Sequence, residues 1–193
     1  SKTNEFDWVK PGKSMWDWRV WKYVTDDGYE YGLNTDSHMR FIDFASENNI
    51  QYLIIDADWY GPEFSEESDP VSPREGVNIE QCMAYADEKD VGIILYLNDI
   101  GAKKYGLERV LKQFSDWGAK GVKYGFMTGK GQEKVMHTRR VIELCAKYRL
   151  LVNFHDGPVP PSGDFRTYPN AITREYCHAQ ADAKRSYWPE TVV

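Results

Sequence analysis

The 193-residue sequence contains few cysteines and no long apolar segment. Its three cysteines, Cys82, Cys145 and Cys177, are widely spaced and odd in number, which excludes a disulfide framework and a zinc site, so we expect buried thiols. No apolar run is long enough to cross a membrane, and no signal-peptide pattern opens the chain. A chain of this length buries one substantial core, so residues 1–193 are predicted to form a single domain.

The sequence also lacks a basic block and the glycine motifs of nucleotide-binding enzymes. The net charge is −6, so the footprint of a nucleic-acid-binding protein is missing. The segment Gly129-Lys130-Gly131 has neither the spacing nor the Ser/Thr of a phosphate-binding loop, and no glycine fingerprint follows a strand. A Gly-x-Ser-x-Gly motif is absent as well, which disfavours a serine hydrolase of the α/β type.

Aromatic residues, in contrast, are abundant. They make up 15% of the chain, with seven Trp and thirteen Tyr, and four of the Trp lie within residues 8–21. Two interpretations stay open: the aromatic side chains fill a large core, or some of them form stacking platforms for flat ligands such as sugar rings.

Apolar strand-like runs alternate with helical patterns along the whole chain. Alternation of this kind predicts parallel βαβ units with right-handed crossovers. About six strands are expected, so the fold is either a (β/α)8 TIM barrel truncated to about six units or an open doubly wound sheet. The predicted strands cover residues 15–21, 52–57, 92–97, 122–127, 151–156 and 171–173, and the predicted helices cover about 36–48, 78–88, 101–117 and 132–148.

Polar side chains follow three of the predicted strands at the point where each strand ends. The second strand runs into Asp56 and Asp58, the third into Asp99, and the fifth into His155 and Asp156. In a parallel barrel the carboxyl ends of the strands surround the active site, so these residues are site candidates. Asp56 and Asp58 have two open interpretations, as contacts to sugar hydroxyls or as caps of the segment that follows.

Two further charged residues lie where apolar residues would be expected. Lys123 falls inside the fourth strand, where a lysine is costly unless it meets a carboxylate or a ligand. Asp17 lies between two tryptophans within the first predicted strand, and a site role and a structural role both stay open for it. The polar loop over residues 61–76 is long for a compact domain, and such loops often form binding surfaces.

Four segments of the sequence form a recognisable set. They are KPGKSMWDW at residues 10–18, GAKGVK at 118–123, NFHD at 153–156 and RTYPNAITRE at 166–175. These segments resemble the catalytic barrel of glycoside hydrolase family 97, the bacterial α-glucosidases and α-galactosidases. The resemblance covers nearly the whole chain, and the last segment is the most specific. It implies a partial TIM-barrel domain that hydrolyses α-glucosides or α-galactosides in oligosaccharides, with β-sandwich domains of a parent chain as partners. It also implies a periplasmic or outer-membrane-associated location in a Gram-negative bacterium.

The resemblance also implies a mechanism. Retaining members carry an aspartate nucleophile at the position of Gly125, and glycine cannot serve as one. Inverting members use a glutamate to activate water, and the matching positions hold Asp99 and Asp156, each one methylene shorter. The family's proton donor corresponds to Ala181, with Asp182 beside it. Inverting hydrolysis is therefore expected if the chain is active, and the alternative is a catalytically impaired carbohydrate-binding homologue or an inactive fragment.

Two expectations concern binding partners other than substrate. Glu175 matches a calcium ligand of the family, and Asp156 could supply another carboxylate oxygen, the ligand type that calcium prefers. An open barrel also leaves strand edges that must be paired or covered, so the isolated domain is expected to form homo-oligomers or to be poorly soluble.

Overall fold

The computed structural model describes residues 5–156 and 163–174. Its centre is one six-stranded parallel sheet in which every strand pairs with its neighbours in the sequence. Strands in sequential order are typical of the (β/α)8 barrel, whereas a doubly wound sheet reverses its order at a switch point. The barrel prediction is therefore confirmed. The strands are β1 (Ser14–Trp16), β2 (Tyr52–Ile55), β3 (Gly92–Asn98), β4 (Gly121–Gly125), β5 (Leu151–Phe154) and β6 (Ala171–Arg174).

Six helices alternate with these strands. Asn34 and Asn78 begin the first two of them, because each side chain accepts a hydrogen bond from a backbone N–H of the first turn. The single helix predicted for residues 101–117 is in fact two, because Gly106 adopts a φ of +88° and interrupts it. The helices are α1 (Thr35–Glu47), α2 (Ile79–Glu88), α3 (Asp99–Tyr105), α4 (Leu107–Trp117), α5 (Gly131–Lys147) and α6 (Asp164–Thr167).

The first strand is shorter than the sequence predicted. β1 ends at Trp16, and Trp18–Val20 form a turn of 3-10 helix. The aromatic and β-branched residues of this segment favour a strand, but pairing with β2 stops after three residues. Asp17 is thus the first residue beyond the strand, at its carboxyl end.

Alternate residues of the strands point into the barrel, where they form an apolar layer and a polar layer. The apolar layer, closed by Trp8 and Val9, consists of Tyr52, Ile54, Ile94 and Leu151. The polar layer lies nearer the carboxyl ends of the same strands and includes Asp56, Tyr96 and His155. Tyr96 is in register with Lys123 of β4. The polar residues of the inner face are therefore gathered at one end of the barrel.

The larger core lies between the outer face of the sheet and the helices. It includes Leu53 and Ile55 of β2, and Phe114 of α4, all of them fully buried. Cys82 and Cys145 are buried free thiols as predicted, and Cys177 lies outside the described residues. Among the helices that the structure describes, none is long and apolar enough to span a membrane.

Candidate active site

A buried ion pair forms the floor of the polar layer. The ammonium nitrogen Nζ of Lys123 lies 2.5 Å from Oδ2 of Asp56, and both side chains are only 8% exposed. The same nitrogen lies 4.9 Å from the centre of the Trp16 ring. A buried lysine needs such a partner, so the carboxylate contact predicted for Lys123 is confirmed. Oδ1 of Asp56 accepts the N–H of the next residue, Ala57, at 2.8 Å, and both interpretations of Asp56, as a cap and as a contact to a sugar hydroxyl, stay predictions.

Asp17 lies behind this ion pair and orients it. Its Oδ1 accepts the backbone N–H of Asp56 at 3.0 Å, and its Oδ2 lies 3.2 Å from Nε2 of His38. Both side chains are fully buried. Both oxygens of Asp17 are thus engaged within the protein, and its predicted substrate contact stays a prediction. His38 lies in α1 and is completely buried, with its Nδ1 3.9 Å from Sγ of Cys82. No pattern in the sequence indicates that this histidine is buried.

Asp156 lies at the rim of the barrel and is partly open. Its Oδ1 accepts the N–H of Met127 at 3.1 Å, and its Oδ2 lies 3.3 Å from Nζ of Lys134. The side chain is 32% exposed. The neighbouring His155 ring lies 4.3 Å from the ring of Phe126, centre to centre. A carboxylate with one cationic neighbour and access to solvent can accept a proton from water.

Asp99 has a different environment, on the side of the sheet that faces the helices. Its Oδ1 accepts from Oη of Tyr124 at 2.5 Å and lies 2.9 Å from Nε2 of His137. Its Oδ2 accepts from both N and Oγ1 of Thr128 and lies 2.7 Å from Nζ of Lys103. Burial would raise the pKa of Asp99, but these hydrogen bonds outweigh it and hold the pKa well below its usual range. Such a carboxylate is a weak base, which disfavours Asp99 as the catalytic base that the sequence predicted.

The loop after β2 contributes two more carboxylates. Asp58 adopts a φ of +65°, and its Oδ1 accepts the N–H of Glu63 at 2.8 Å, so its predicted capping role is confirmed and its predicted sugar contact stays a prediction. Glu63 is half-buried, and its Oε2 accepts a hydrogen bond from Oη of Tyr96 at 2.5 Å. Burial raises the pKa of Glu63, the Tyr96 hydrogen bond opposes this, and the like charges of Asp58 and Asp56 raise it further.

The sequence indicates the loop that carries Glu63 but does not indicate Glu63 itself as a site residue. The length and polarity of residues 61–76 predicted a binding surface, whereas an irregular loop has no periodicity from which a side-chain direction could be read.

Gly125 is confined by its neighbours. A Cβ atom at this position would lie 2.8 Å from Cβ of His155 and 3.3 Å from the Tyr96 ring. The first distance is shorter than carbon–carbon contacts in proteins, so any side chain would displace His155. The position at which the family resemblance expects a nucleophile in retaining members is therefore closed by packing in this chain.

The described residues do not by themselves form a calcium site. Within residues 5–156 and 163–174, no three Asp, Glu, His or Cys side chains cluster as metal ligands would. Asp156 supplies one carboxylate, and its nearest cation is the ammonium of Lys134. Calcium takes six to eight oxygen ligands. The other predicted ligand, Glu175, and the donor position Ala181 lie outside the described residues.

The family model for Glycoside hydrolase 97 matches residues 15–177. The chain belongs to glycoside hydrolase family 97. It is 35% identical over 177 residues to a retaining alpha-galactosidase of Bacteroides thetaiotaomicron, covering 91% of this chain and 26% of the relative. It is 29% identical over 178 residues to a probable retaining alpha-galactosidase of Streptomyces bingchenggensis, covering 91% of this chain and 27% of that protein.

A solved structure shares the fold. It is a glycoside hydrolase family 97 enzyme from Pseudoalteromonas sp. strain K8 in complex with acarbose, with a TM-score of 0.73 and 22% sequence identity over 88% of this chain and 30% of that chain. The chain thus spans about a quarter of the length of the curated relatives it matches. The family membership predicted from the four sequence segments is confirmed.

Proposed function

We propose that this chain forms the catalytic barrel of an α-galactoside hydrolase that inverts the anomeric centre. The observation that carries the proposal is the partly open carboxylate of Asp156, which lies at the carboxyl end of the sheet as the buried Lys123–Asp56 pair does, in a chain of family 97. The two curated relatives are named as α-galactosidases, which favours galactosides over the α-glucosides that the sequence left equally open.

In the proposed mechanism Asp156 removes a proton from a water molecule, whose oxygen attacks C1 of the sugar. The Lys123–Asp56 pair lies at the floor of the polar layer, where a charged lysine and carboxylate can donate to and accept from sugar hydroxyls. His155, beside Phe126, offers an imidazole and a flat surface at the same rim. These groups position the ring, and Asp156 supplies the base.

Inversion is proposed although both curated relatives are named as retaining. Retention through a carboxylate needs a nucleophile on the enzyme. At the position where the resemblance expects it, this chain has Gly125, and His155 and Tyr96 close the space around it. When water attacks C1 directly, the reaction has a single displacement, so the anomeric configuration of the product is inverted.

The second candidate function is a carbohydrate-binding homologue with impaired catalysis. Gly125 and Ala181 favour it, because they stand where the family resemblance expects a nucleophile and a proton donor. Such a protein would bind galactosides and release no product.

Calcium dependence is proposed from the match of Glu175 to a family ligand, with β-sandwich domains in the full-length protein as the source of further ligands. Calorimetric titration of the full-length protein with calcium tests this directly. Binding that is weakened by Glu175→Gln supports the site, and binding that is unchanged contradicts it.

The experiment that tests the function is hydrolysis of p-nitrophenyl α-galactoside and α-glucoside by the full-length protein. Faster release from the galactoside is expected. Faster release from the glucoside would overturn the substrate assignment. Binding of galactose by calorimetry, without release from either substrate, would favour the second candidate.

A further inference from the structure

We propose that Glu63 is the proton donor of this site, the residue that protonates the departing glycosidic oxygen. The inference rests on the proposed hydrolase function and adds a residue in a loop that no motif of the sequence identifies. It answers the question that Ala181 raises, namely which group supplies the proton.

The loop after β2 folds over the mouth of the barrel. Phe64, the residue after Glu63, packs its ring 4.8 Å from that of Phe126, and Phe126 in turn lies 4.3 Å from the ring of His155. Since Asp156 follows His155 directly, this row of rings connects the loop with the rim that carries the proposed base. Glu63 is therefore held at the same opening as Asp156 and not at the outer surface of the loop.

The carboxyl group of Glu63 is fixed at one oxygen. Oε2 accepts the hydrogen bond from Tyr96, whose Oη accepts a hydrogen bond from Nδ2 of Asn98 at 3.2 Å. Oε1 makes no hydrogen bond within residues 5–156 and 163–174, so it is the oxygen available to carry a proton to a substrate. Tyr96 lies on the inner face of β3, which directs Glu63 towards the interior of the polar layer.

The electrostatic surroundings raise the pKa of Glu63 above its ordinary value. Burial raises its pKa, and the negative charges of Asp58 and Asp56 add to this against the opposing Tyr96 hydrogen bond and the charge of His155. Asp99, in contrast, has a lowered pKa. Enzymes that use two carboxyl groups assign the acid role to the group whose environment raises its pKa.

The other acidic residues near the polar layer are already committed. Asp56 pairs with Lys123, Asp17 bonds to Asp56 and His38, and Oδ1 of Asp58 holds the N–H of Glu63. Glu63 and Asp58 are both partly exposed and have no cationic side chain among their hydrogen-bond partners within the described residues, but Glu63 is the one bonded to Tyr96 on the inner face of β3.

The proposed step balances as follows. The Oε1–H bond of Glu63 breaks and its proton goes to the glycosidic oxygen. The C1–O bond breaks, its electron pair stays on that oxygen, and the leaving group departs as a neutral alcohol. Water forms the new C1–O bond and gives a proton to Asp156. Glu63 is left ionised and Asp156 protonated, and both return to their starting states by exchange with solvent.

The test compares two substrates on full-length protein carrying Glu63→Gln, a variant whose amide oxygen can still accept the Tyr96 hydrogen bond. Methyl α-galactoside has a poor leaving group and needs a proton donor, whereas 2,4-dinitrophenyl α-galactoside does not. We expect kcat/KM to fall about 10²- to 10⁴-fold for the methyl glycoside and less than about tenfold for the dinitrophenyl glycoside. The alkaline limb of the pH profile of kcat/KM should disappear.

Glu66→Gln is the matched control on the same loop. Glu66 is 72% exposed and lies 3.6 Å from Lys104, so its replacement should leave both rates unchanged. The ratio of the two rates, taken on one sample, does not depend on the fraction of the variant that folds.

Each outcome decides between the two proposals. A wild-type protein that hydrolyses neither galactoside overturns the proposed function and the role of Glu63 with it. An active wild type with equal losses for both substrates in Glu63→Gln, or with no loss, overturns the role of Glu63 alone.

Discussion

Two carboxylates that follow strands of the same sheet, Asp99 after β3 and Asp156 after β5, have opposite surroundings. Asp99 follows β3, is fully buried and receives hydrogen bonds or ion pairs from four residues. Asp156 follows β5, is 32% exposed and, within residues 5–156 and 163–174, bonds to Met127 and Lys134. An acid at the end of a strand is therefore not sufficient evidence of chemistry. The side of the sheet that it faces, and the number of donors it meets, decide whether it can still accept a proton.

The largest difference between the two carboxylates should appear in activity. Asp156→Asn in the full-length protein should lower kcat about 10²- to 10⁴-fold, because the proposed base is lost. Its stability should change by no more than about 0.5 kcal/mol, since the side chain is partly exposed and its contacts are few. Steady-state hydrolysis of p-nitrophenyl α-galactoside and a thermal melt measure both. Full activity in this variant would show that the base lies elsewhere.

Asp99→Asn should have the reverse profile. Removing its charge weakens the bonds to the buried Tyr124 hydroxyl, the partly buried His137 and the exposed Thr128, so the free energy of unfolding should fall by about 1–3 kcal/mol. The kcat of the folded fraction should change less than about tenfold. Urea unfolding followed by tryptophan fluorescence provides the measurement.

Asp116→Asn is the control for this loss of stability. Asp116 and its partner Lys112 are both more than half exposed, so the same replacement there should cost less than about 1 kcal/mol. Equal losses at residues 99 and 116 would remove the distinction between a buried and a surface carboxylate.

The stability of the domain in acid should depend on Asp99. Its pKa in the folded state is lowered, so the ionised carboxylate stabilises the fold above its unfolded pKa of about 3.9 and this contribution is lost as the pH falls towards the folded value. Urea midpoints between pH 7 and pH 3 should therefore fall more steeply in the wild type than in Asp99→Asn. Parallel curves for the two proteins would contradict the lowered pKa.

The smallest expected effect concerns Glu63 and stability. Its pKa is raised in the folded state, so any stabilisation from its protonated form is present at low pH and lost as the pH rises through the folded pKa. Glu63→Gln removes the charge, and it should raise the melting temperature slightly at pH 7 and not at pH 4. A lower melting temperature at pH 7 would mean that the ionised form is the one the fold favours.

Much of the fold follows from the sequence. The alternation of strand and helix patterns predicted parallel units, and the described residues contain the six strands expected. Caps such as Asn34 and Asn78 marked the starts of two of the helices between them. A lysine inside a buried strand predicted either a carboxylate or a ligand beside Lys123, and the structure has the carboxylate of Asp56 there.

The sequence did not distinguish Asp99 from Asp156. The side of the sheet that a residue after a strand faces depends on where the strand ends, and the sequence does not fix that point. β3 extends to Asn98, so Asp99 begins α3 and contacts Tyr124 on the outer face. Glu63 was missed for a related reason: its direction depends on the contact between Phe64 and Phe126, which joins loops more than fifty residues apart.

The stereochemistry of hydrolysis tests the central claim most directly. ¹H NMR of the full-length protein acting on an α-galactoside identifies the anomer that forms first. Closure of the Gly125 position by His155 and activation of water by Asp156 predict β-galactose as the first product. α-Galactose as the first product would mean that a nucleophile of the protein attacks C1, and it would contradict the account.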